Sequence, residues 1–331
     1  HAGWVSLLDG IWGFALWDPD RRELLLSRDP MGVKPLLRTL LPDGTLLFAS
    51  EVKAFHAHPE FTAKPDIDAL AVRLAYEYPM DMTSLFLDVT QVAPGTIESW
   101  SLDDDGRAFL NGVCRYSRDV VSPEGRWDPA VQARILLDSF RDGLEDRMMS
   151  DVPIGIVLSG GLDSSLVAAL AHEVSQNAGK PVPECWTVAS SEDNPDFVAS
   201  EMVAQHHDLA HHTKIIEEDA FWKGLPRFVS SGEDLDITVL FWQTLFEEMS
   251  KQVTVGLCGQ GADELHAGYA RYRDLDKHSR QVSKRLSLTQ GFDSSEIECG
   301  PGMPWFDNKI DPRHHFKDLR TTLQFELDRG Q

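Results

Sequence analysis

One stretch limits what this chain can fold into more than any other. The apolar run Ile154-Gly155-Ile156-Val157-Leu158 leads into Ser159-Gly160-Gly161-Leu162-Asp163-Ser164-Ser165, and then into Leu166-Val167-Ala168-Ala169-Leu170-Ala171. A short apolar run, a glycine pair with hydroxyls and an Ala- and Leu-rich stretch predict a buried strand, a tight turn and a helix. Glycines let the backbone approach a ligand closely. The first turn of the helix offers unpaired N–H groups at the positive end of its dipole. Such a turn suits a phosphate, with the serines as added donors and Asp163 placed to hold a cation bound to it. A Walker A loop is excluded, because GxxxxGK[ST] occurs nowhere in the chain. The plainer reading, a Ser/Gly helix entry without a ligand, accounts poorly for two glycines squeezed between apolar segments.

The 331 residues suffice for two domains with separate cores, and 42% hydrophobic with 25% charged residues is ordinary globular material. A net charge of −22 repels phosphate backbones, so the chain predicts no nucleic-acid partner and favours small-molecule substrates. The same acidity also fits a salty habitat. The four cysteines, Cys114, Cys185, Cys258 and Cys299, form no CxxC pair. They suit a reducing cytoplasm and point to neither a zinc site nor a disulfide framework. No apolar run reaches membrane-spanning length, and no signal sequence opens the chain, so no membrane partner is expected. The chain opens with His1 in what reads as mid-domain sequence, and is expected to be a fragment.

Residues 1 to about 60 predict a β-meander. Strands over 11–17 and 23–27 flank the turn Asp18-Pro19-Asp20, and strands over 36–41 and 45–49 flank Pro42-Asp43-Gly44. A helical stretch over 70–77 follows, then the turn Ala93-Pro94-Gly95 opens a strand ending at Trp100. The Asp-, Gly- and Ser-rich segment from 102 reads as an interdomain linker. The expected division is 1–101, a linker over 102–127, and a second domain over 128–331. Asp128-Pro129 starts a helix with an N-cap and a first-turn proline, its apolar face carried by Val131, Ile135, Phe140, Leu144 and Met148. Beyond the glycine loop, strands over 184–188, 211–216 and 253–258 alternate with helices over 196–205, from 219, and over 238–250. That order predicts a parallel sheet with helices on both faces and ligands at the carboxyl ends of its strands. The last strand ends in Gly259-Gln260-Gly261-Ala262-Asp263-Glu264-Leu265, again a glycine-rich turn with an Asp.

Ser159–Ser165 resembles the pyrophosphate loop (SGGxDS) of the ATP pyrophosphatases, which cleave ATP between the α and β phosphates. Arg28-Asp29-Pro30-Met31-Gly32-Val33-Lys34-Pro35-Leu36 and Phe48-Ala49-Ser50-Glu51-Val52-Lys53-Ala54 resemble the back half of the glutaminase domain of class II amidotransferases, where RDxxGxKPLYY and FASExKAL recur. Leu37 and Arg38 replace the aromatic pair of that motif. With GQGADELHAGY in second place, the whole order is similar to glutamine-hydrolysing asparagine synthetases. The resemblance implies an α/β fold with a PP-loop (adenine nucleotide alpha hydrolase-like) parallel sheet, preceded by a partial β-rich N-terminal-nucleophile glutaminase domain.

By the same resemblance, Ser159, Gly160, Gly161, Leu162, Asp163, Ser164 and Ser165 cradle the phosphates of ATP, and Leu158, Val188, Cys258 and Gly259 contact the adenylate. Asp163 and Asp263 hold Mg²⁺. Gln260 stands where Glu is common and supports acyl-adenylate formation; a glutamine hydrogen-bonds there but takes no proton. Glu233 and Asp236 fall near the amino-acid pocket. The implied reaction activates aspartate as β-aspartyl-AMP and amidates it with ammonia, free or drawn from glutamine. The glutaminase nucleophile of the family is an N-terminal cysteine. None stands at or near residue 1, so the chain as given is expected not to hydrolyse glutamine. The family's downstream Lys and Arg-rich region are expected to lie beyond Gln331. A homodimer is among the expected assemblies. Two alternatives stay open: a ring-closing ligase of the same fold, such as a β-lactam synthetase, and a non-catalytic nucleotide-binding module. The run His206-His207-Asp208-Leu209-Ala210-His211-His212 lacks metal-binding spacing, and its imidazoles are expected to diverge.

Overall fold

The computed structural model describes residues 2–76, 82–116, 128–217, 219–231 and 239–288. They form two compact units. Residues up to 116, with 263–288, make the first, and the described residues between 128 and 262 make the second.

In the first unit, β1 (Gly13–Asp18) and β2 (Glu23–Arg28) form the expected hairpin, its turn fixed by Asp18 Oδ1, which accepts from the amides of Asp20 at 3.0 Å and Arg21 at 3.1 Å. β3 (Leu37–Leu40) and β4 (Leu46–Ala49) form the second hairpin, and α1 (Ile67–Tyr76) follows. β5 (Thr90–Gln91) then pairs with β3, giving a small sheet of order β4-β3-β5. β6 (Thr96–Leu102) and β7 (Ala108–Arg115) complete an antiparallel sheet of order β1-β2-β6-β7. Leu26, Leu36, Val92 and Trp100 pack beneath this sheet, and Leu37, Leu41, Val52, Phe55, Phe61 and Val89 form a second cluster.

The Arg28–Leu36 segment is a structural knot. The buried Arg28 guanidinium donates to the carbonyls of Lys34 at 2.8 Å and Gly32 at 2.6 Å, and to Gln91 Oε1 at 2.8 Å. Buried Asp29 accepts from the amides of Met31, Val33 and Lys34 at 3.0–3.2 Å. The two side chains, themselves buried, thus bind the carbonyls and amides on the inner side of a tight surface loop and hold it to the sheet. Arg38, where the motif has an aromatic residue, also has a clear role. Its Nε lies 2.5 Å from Oε2 of buried Glu98, its guanidinium sits 5.1 Å over the Trp100 ring, and Trp100 Nε1 donates to the same carboxylate oxygen at 2.9 Å.

Two boundaries differ from expectation. The linker predicted from residue 102 contains β7, which pairs with β6 over Ala108–Arg115; only the turn at 103–107 separates them, closed by Asp103 Oδ1 accepting from the Arg107 amide at 2.8 Å. The Asp and Gly residues that suggested a linker are hairpin-turn residues. The second domain, expected to run to 331, gives up 263–288 to the first unit, where α8 (Leu275–Leu288) lies against α1 with Val282 and His278 buried.

The second unit opens with α2 (Pro129–Arg147), capped as predicted: Asp128 Oδ1 accepts from the Ala130 amide at 3.0 Å, and Pro129 is in the first turn. Its expected apolar face is buried only late in the helix. Leu144 packs in the core with α3 (Leu162–Ala178), and Leu137 and Met148 pack against the same cluster, whereas Val131, Ile135 and Phe140 remain exposed, because the stripe that meets the core runs through 137, 144 and 148. β8 (Ile154–Val157), β9 (Glu184–Ala189), β10 (His211–Ile215) and β11 (Val255–Leu257) make a parallel sheet of order β10-β9-β8-β11, with α4 (Pro195–His206), α5 (Ala220–Ser231) and α6 (Val239–Met249) in the connections. One face packs Ile156, Leu158, Val167, Ala168, Ala171, Cys185 and Ala204; the other packs Val157, Trp186, Leu245 and Met249. Helices therefore cover both faces, as the alternation of strand and helix predicts. Gly155 makes room for an indole: a Cβ there would lie 2.4 Å from Trp186 Cζ3.

Replacing Arg38 with Ala strands the Glu98 carboxylate in a buried site. The expected cost in urea unfolding is about 3 kcal/mol, and it should shrink clearly when Glu98→Gln is combined with it.

Candidate nucleotide site

The sheet order β10-β9-β8-β11 places a topological switch between β8 and β11, since the chain steps outward from β8 to β10 and then returns to the other side of β8. Connections leaving the carboxyl ends of those two strands diverge there and leave a crevice. Both glycine loops lie at these ends.

The first loop is held from below and behind. Leu158 is fully buried, and its amide donates to the Trp186 carbonyl at 3.0 Å. Gly160 has φ +78°, and a Cβ on it would fall 2.5 Å from the Ser200 amide nitrogen and 2.7 Å from the Asp196 carbonyl oxygen. The turn is thus pressed on the first turns of α4, and only glycine fits it. Gly161 is the N-cap of α3 and supplies no side-chain cap, so the first amides of α3 keep no intrahelical acceptor.

The loop hydroxyls divide into two kinds. Ser159 Oγ and Ser164 Oγ are 2.9 Å apart. Ser164 Oγ accepts from the Ser159 amide at 3.1 Å and lies 3.3 Å from the Gly161 carbonyl, and the Gly161 amide reaches Ser159 Oγ at 3.3 Å. These two serines close the loop on itself. Ser165 Oγ, by contrast, is buried and has no hydrogen-bond partner among the described residues. An orphaned hydroxyl beside uncapped helix amides fits an incoming phosphate oxygen.

The second loop lies directly on α3. A Cβ at Gly259 would fall 2.8 Å from Asp163 Cβ and 2.9 Å from both Asp163 C and the Ser164 amide nitrogen. The structure therefore brings Leu158–Ser165 together with Gly259. Cys258 and Gln260 are exposed beside Gly259, and Val188 sits near the end of β9 on the Trp186 face. Asp263 belongs to the first unit, just inside α7 (Ala262–His266). Glu233 and Asp236 lie outside the described residues.

A feature the motifs do not reveal secures Leu158. Buried Thr187 Oγ1 donates to the Leu158 carbonyl and lies 2.7 Å from His211 Nε2. The threonine proton is used on Leu158, so His211 donates Nε2–H to Thr187. Burial, and next the neighbouring His212, lower the His211 pKa below 6.5. His212 points to the opposite face, stacking on Trp186 at 4.6 Å and reaching Glu184 Oε2 at 2.5 Å. The divergence follows from strand alternation in β10, which was the sequence signal available for it.

Residues 136–314 match the asparagine synthase family, and residues 2–108 match the glutamine amidotransferase domain family. The chain belongs to the asparagine synthase family. Among its relatives, asparagine synthetase [glutamine-hydrolyzing] 3 of Bacillus subtilis is 29% identical over 86% of this chain and 48% of its own length. The asparagine synthetases [glutamine-hydrolyzing] of Rattus norvegicus and Gallus gallus are 28% and 29% identical over 92% and 98% of this chain, and 56% and 58% of their own. The chain thus spans about half the length of these relatives. They do not favour the ring-closing alternative.

Two outcomes follow for this family member. A Gly160→Ala substitution should cost about 1–3 kcal/mol in unfolding, since both the left-handed turn and the α4 contact must give way. The fold holds His211 below its unfolded pKa, so the unfolded chain binds more protons and stability falls as pH drops. The loss begins near 6.5 and is complete below the folded value. His207, lowered by burial and then by His206 and His172, acts with the same sign. Melting curves between pH 8 and 5 should show this fall, and His211→Gln should flatten part of it.

Proposed function

We propose that this chain carries the nucleotide site of an ATP-dependent ligase that converts aspartate to asparagine through β-aspartyl-AMP, with nitrogen from glutamine or ammonia. The observation that carries the proposal is the orphaned Ser165 hydroxyl beside the uncapped start of α3, at the switch point of the parallel sheet. The amides of Leu162, Asp163 and Ser164 and the Ser165 hydroxyl bind the phosphates, while Ser159 and Ser164 hold the loop in shape. Leu158, Val188, Cys258 and Gly259 line the adenylate side.

Mg²⁺ is assigned to Asp163 and Asp263. This ion usually keeps several waters and binds through one or two carboxylates plus phosphate oxygens. The support for the assignment is the place of Asp163 in the first turn of α3, beside the phosphate loop, and of Asp263 in the first turn of α7. When bound, the ion neutralises charge on the departing pyrophosphate.

In the first step an aspartate side-chain oxygen bonds to the α-phosphorus, and the bond from phosphorus to the bridging oxygen breaks, releasing pyrophosphate. In the second, ammonia bonds to the activated carbonyl carbon, AMP leaves with the oxygen it shares, and the nitrogen sheds one proton. Gln260 hydrogen-bonds but takes no proton, so that proton passes to another acceptor. No protein nucleophile enters the sequence, and the chain acts by positioning and by charge. Glu233 and Asp236 are assigned to the aspartate pocket. The acidity of the chain and its free cysteines, Cys114, Cys185 and Cys258, suit a cytoplasmic enzyme with small-molecule substrates and no nucleic-acid or membrane partner; its proposed assembly, a homodimer, rests on neither. Among the described residues no helix is long and apolar enough to cross a membrane.

The test is isotope exchange between pyrophosphate and ATP. Exchange should depend on aspartate and fall by about 10²-fold in Asp163→Asn. Exchange that ignores aspartate would remove the assignment of the acceptor. ATP binding without any exchange would instead favour the non-catalytic module.

A further inference from the structure

The turn after α7 contains a glycine that the backbone does not require. Ala267 has φ +55°, and the Gly268 amide donates to the Asp263 carbonyl at 3.0 Å. This is the helix-ending pattern in which the left-handed place is usually taken by glycine. Here alanine takes that place. The glycine stands one residue later, at 268, where φ lies outside the left-handed region. Its reason is spatial. A Cβ on Gly268 would fall 1.8 Å from Asp263 Oδ1, 2.9 Å from Asp263 Cγ and 3.3 Å from Asp263 Cα. The Asp263 carboxylate rests on the bare Cα of Gly268.

The turn is braced from its other side. Tyr269 Oη donates to Glu264 Oε1 at 2.6 Å, and the Arg271 guanidinium lies 4.2 Å over the Tyr269 ring. Burial first, then the hydrogen bond to Glu264, raise the Tyr269 pKa, so the phenol stays a donor. Glu264 itself is only 5% exposed. The peptide that carries Gly268 therefore sits between a backbone bond to Asp263 and a side-chain bond to Glu264, and it has little freedom to retreat from an added methyl group.

The second unit has a related contact, made to the Cβ and backbone of the aspartate rather than to its carboxylate. Asp163 lies against Gly259, another glycine outside the left-handed region, with 2.8 Å between the Asp163 Cβ and the position a Cβ on Gly259 would take. Each of the two aspartates assigned to Mg²⁺ is seated on a glycine whose bareness serves contact rather than backbone conformation.

We propose that Gly268 is a positioning residue that fixes the carboxylate of Asp263 in the orientation used for Mg²⁺. This rests on the assignment of Asp263 under the proposed function. An added Cβ turns the carboxylate to another rotamer while the helix and the turn persist.

The experiment is calorimetric binding of magnesium pyrophosphate to the whole chain, in the parent, Gly268→Ala, Asp263→Ala and the double variant, with a melting curve for each. Gly268→Ala should weaken binding at least tenfold, close to the effect of Asp263→Ala. Added to Asp263→Ala, it should weaken binding no further. A purely structural role for Gly268 would weaken binding equally in both backgrounds, and that result overturns the proposal. So does a Gly268→Ala protein that binds like the parent while Asp263→Ala does not. If neither single variant alters binding, the assignment of Asp263 to Mg²⁺ fails and takes this proposal with it. Should Gly268→Ala not fold, the double variant decides: folding restored by removing the carboxylate supports the contact, and failure to fold there as well overturns it.

Discussion

The close approach of backbone to backbone around Gly160 is the constraint on which the second unit depends. A turn between a central buried strand and a helix has little room when a second helix crosses behind it. Here the clearance at Gly160 is 2.5 Å from an imagined Cβ to the Ser200 amide, so the loop, the start of α3 and the start of α4 form one packed unit. Gly259 extends the same contact to the loop after β11. Packed interiors do not deform smoothly, so loops seated this closely keep their shape with little help from a ligand. The sheet supplies the rest. With β8 in the middle, hydrogen-bonded to both β9 and β11, the first glycine loop leaves the sheet at its most constrained strand.

Much of this was legible before any coordinates. The glycine pair between apolar segments reads directly as strand, turn and helix, because periodicity and glycine placement are local properties. The cap at Asp128 and both early hairpins are local in the same sense. What failed depended on distant partners. β7 looks like a linker because its Asp- and Gly-rich flanks are turn residues. Only the pairing of Ala108–Arg115 with Thr96–Leu102 shows that the chain turns back into the sheet. The apolar stripe on α2 is real in sequence, yet burial needs a neighbour, and among the described residues Leu137, Leu144 and Met148 meet the core while Val131, Ile135 and Phe140 do not. The return of 263–288 to the first unit could not be read from a strand–helix alternation that carries no record of which core a helix joins.

The candidate site shows the same division. Its glycines, serines and Asp163 are adjacent in sequence and carry their own signal. The bond from Thr187 to the Leu158 carbonyl, backed by His211, joins residues 29 and 24 positions apart and has no motif. Arg38 lies between these cases. Its departure from the aromatic pattern is visible in the sequence, but its meaning appears only with Glu98, 60 positions away, and Trp100 beside it. A charge placed where an aromatic ring is usual needs a buried counter-charge, and the stacking on Trp100 retains part of the ring contact.

The hydroxyls of the first loop show how binding and stability are set against each other. Ser159 and Ser164 satisfy one another and the loop backbone, so they favour one shape whether or not a phosphate is present. Ser165 contributes nothing of this kind. A buried hydroxyl without a partner costs about 1–3 kcal/mol, and an alanine at that position would avoid the cost. Fold stability alone therefore gives no reason for a serine at 165, whereas an acceptor arriving at the start of α3 does. Two serines that build the loop and one that waits for a ligand are what a phosphate site requires. The distinction rests on hydrogen-bond partners rather than on the motif, in which all three look alike.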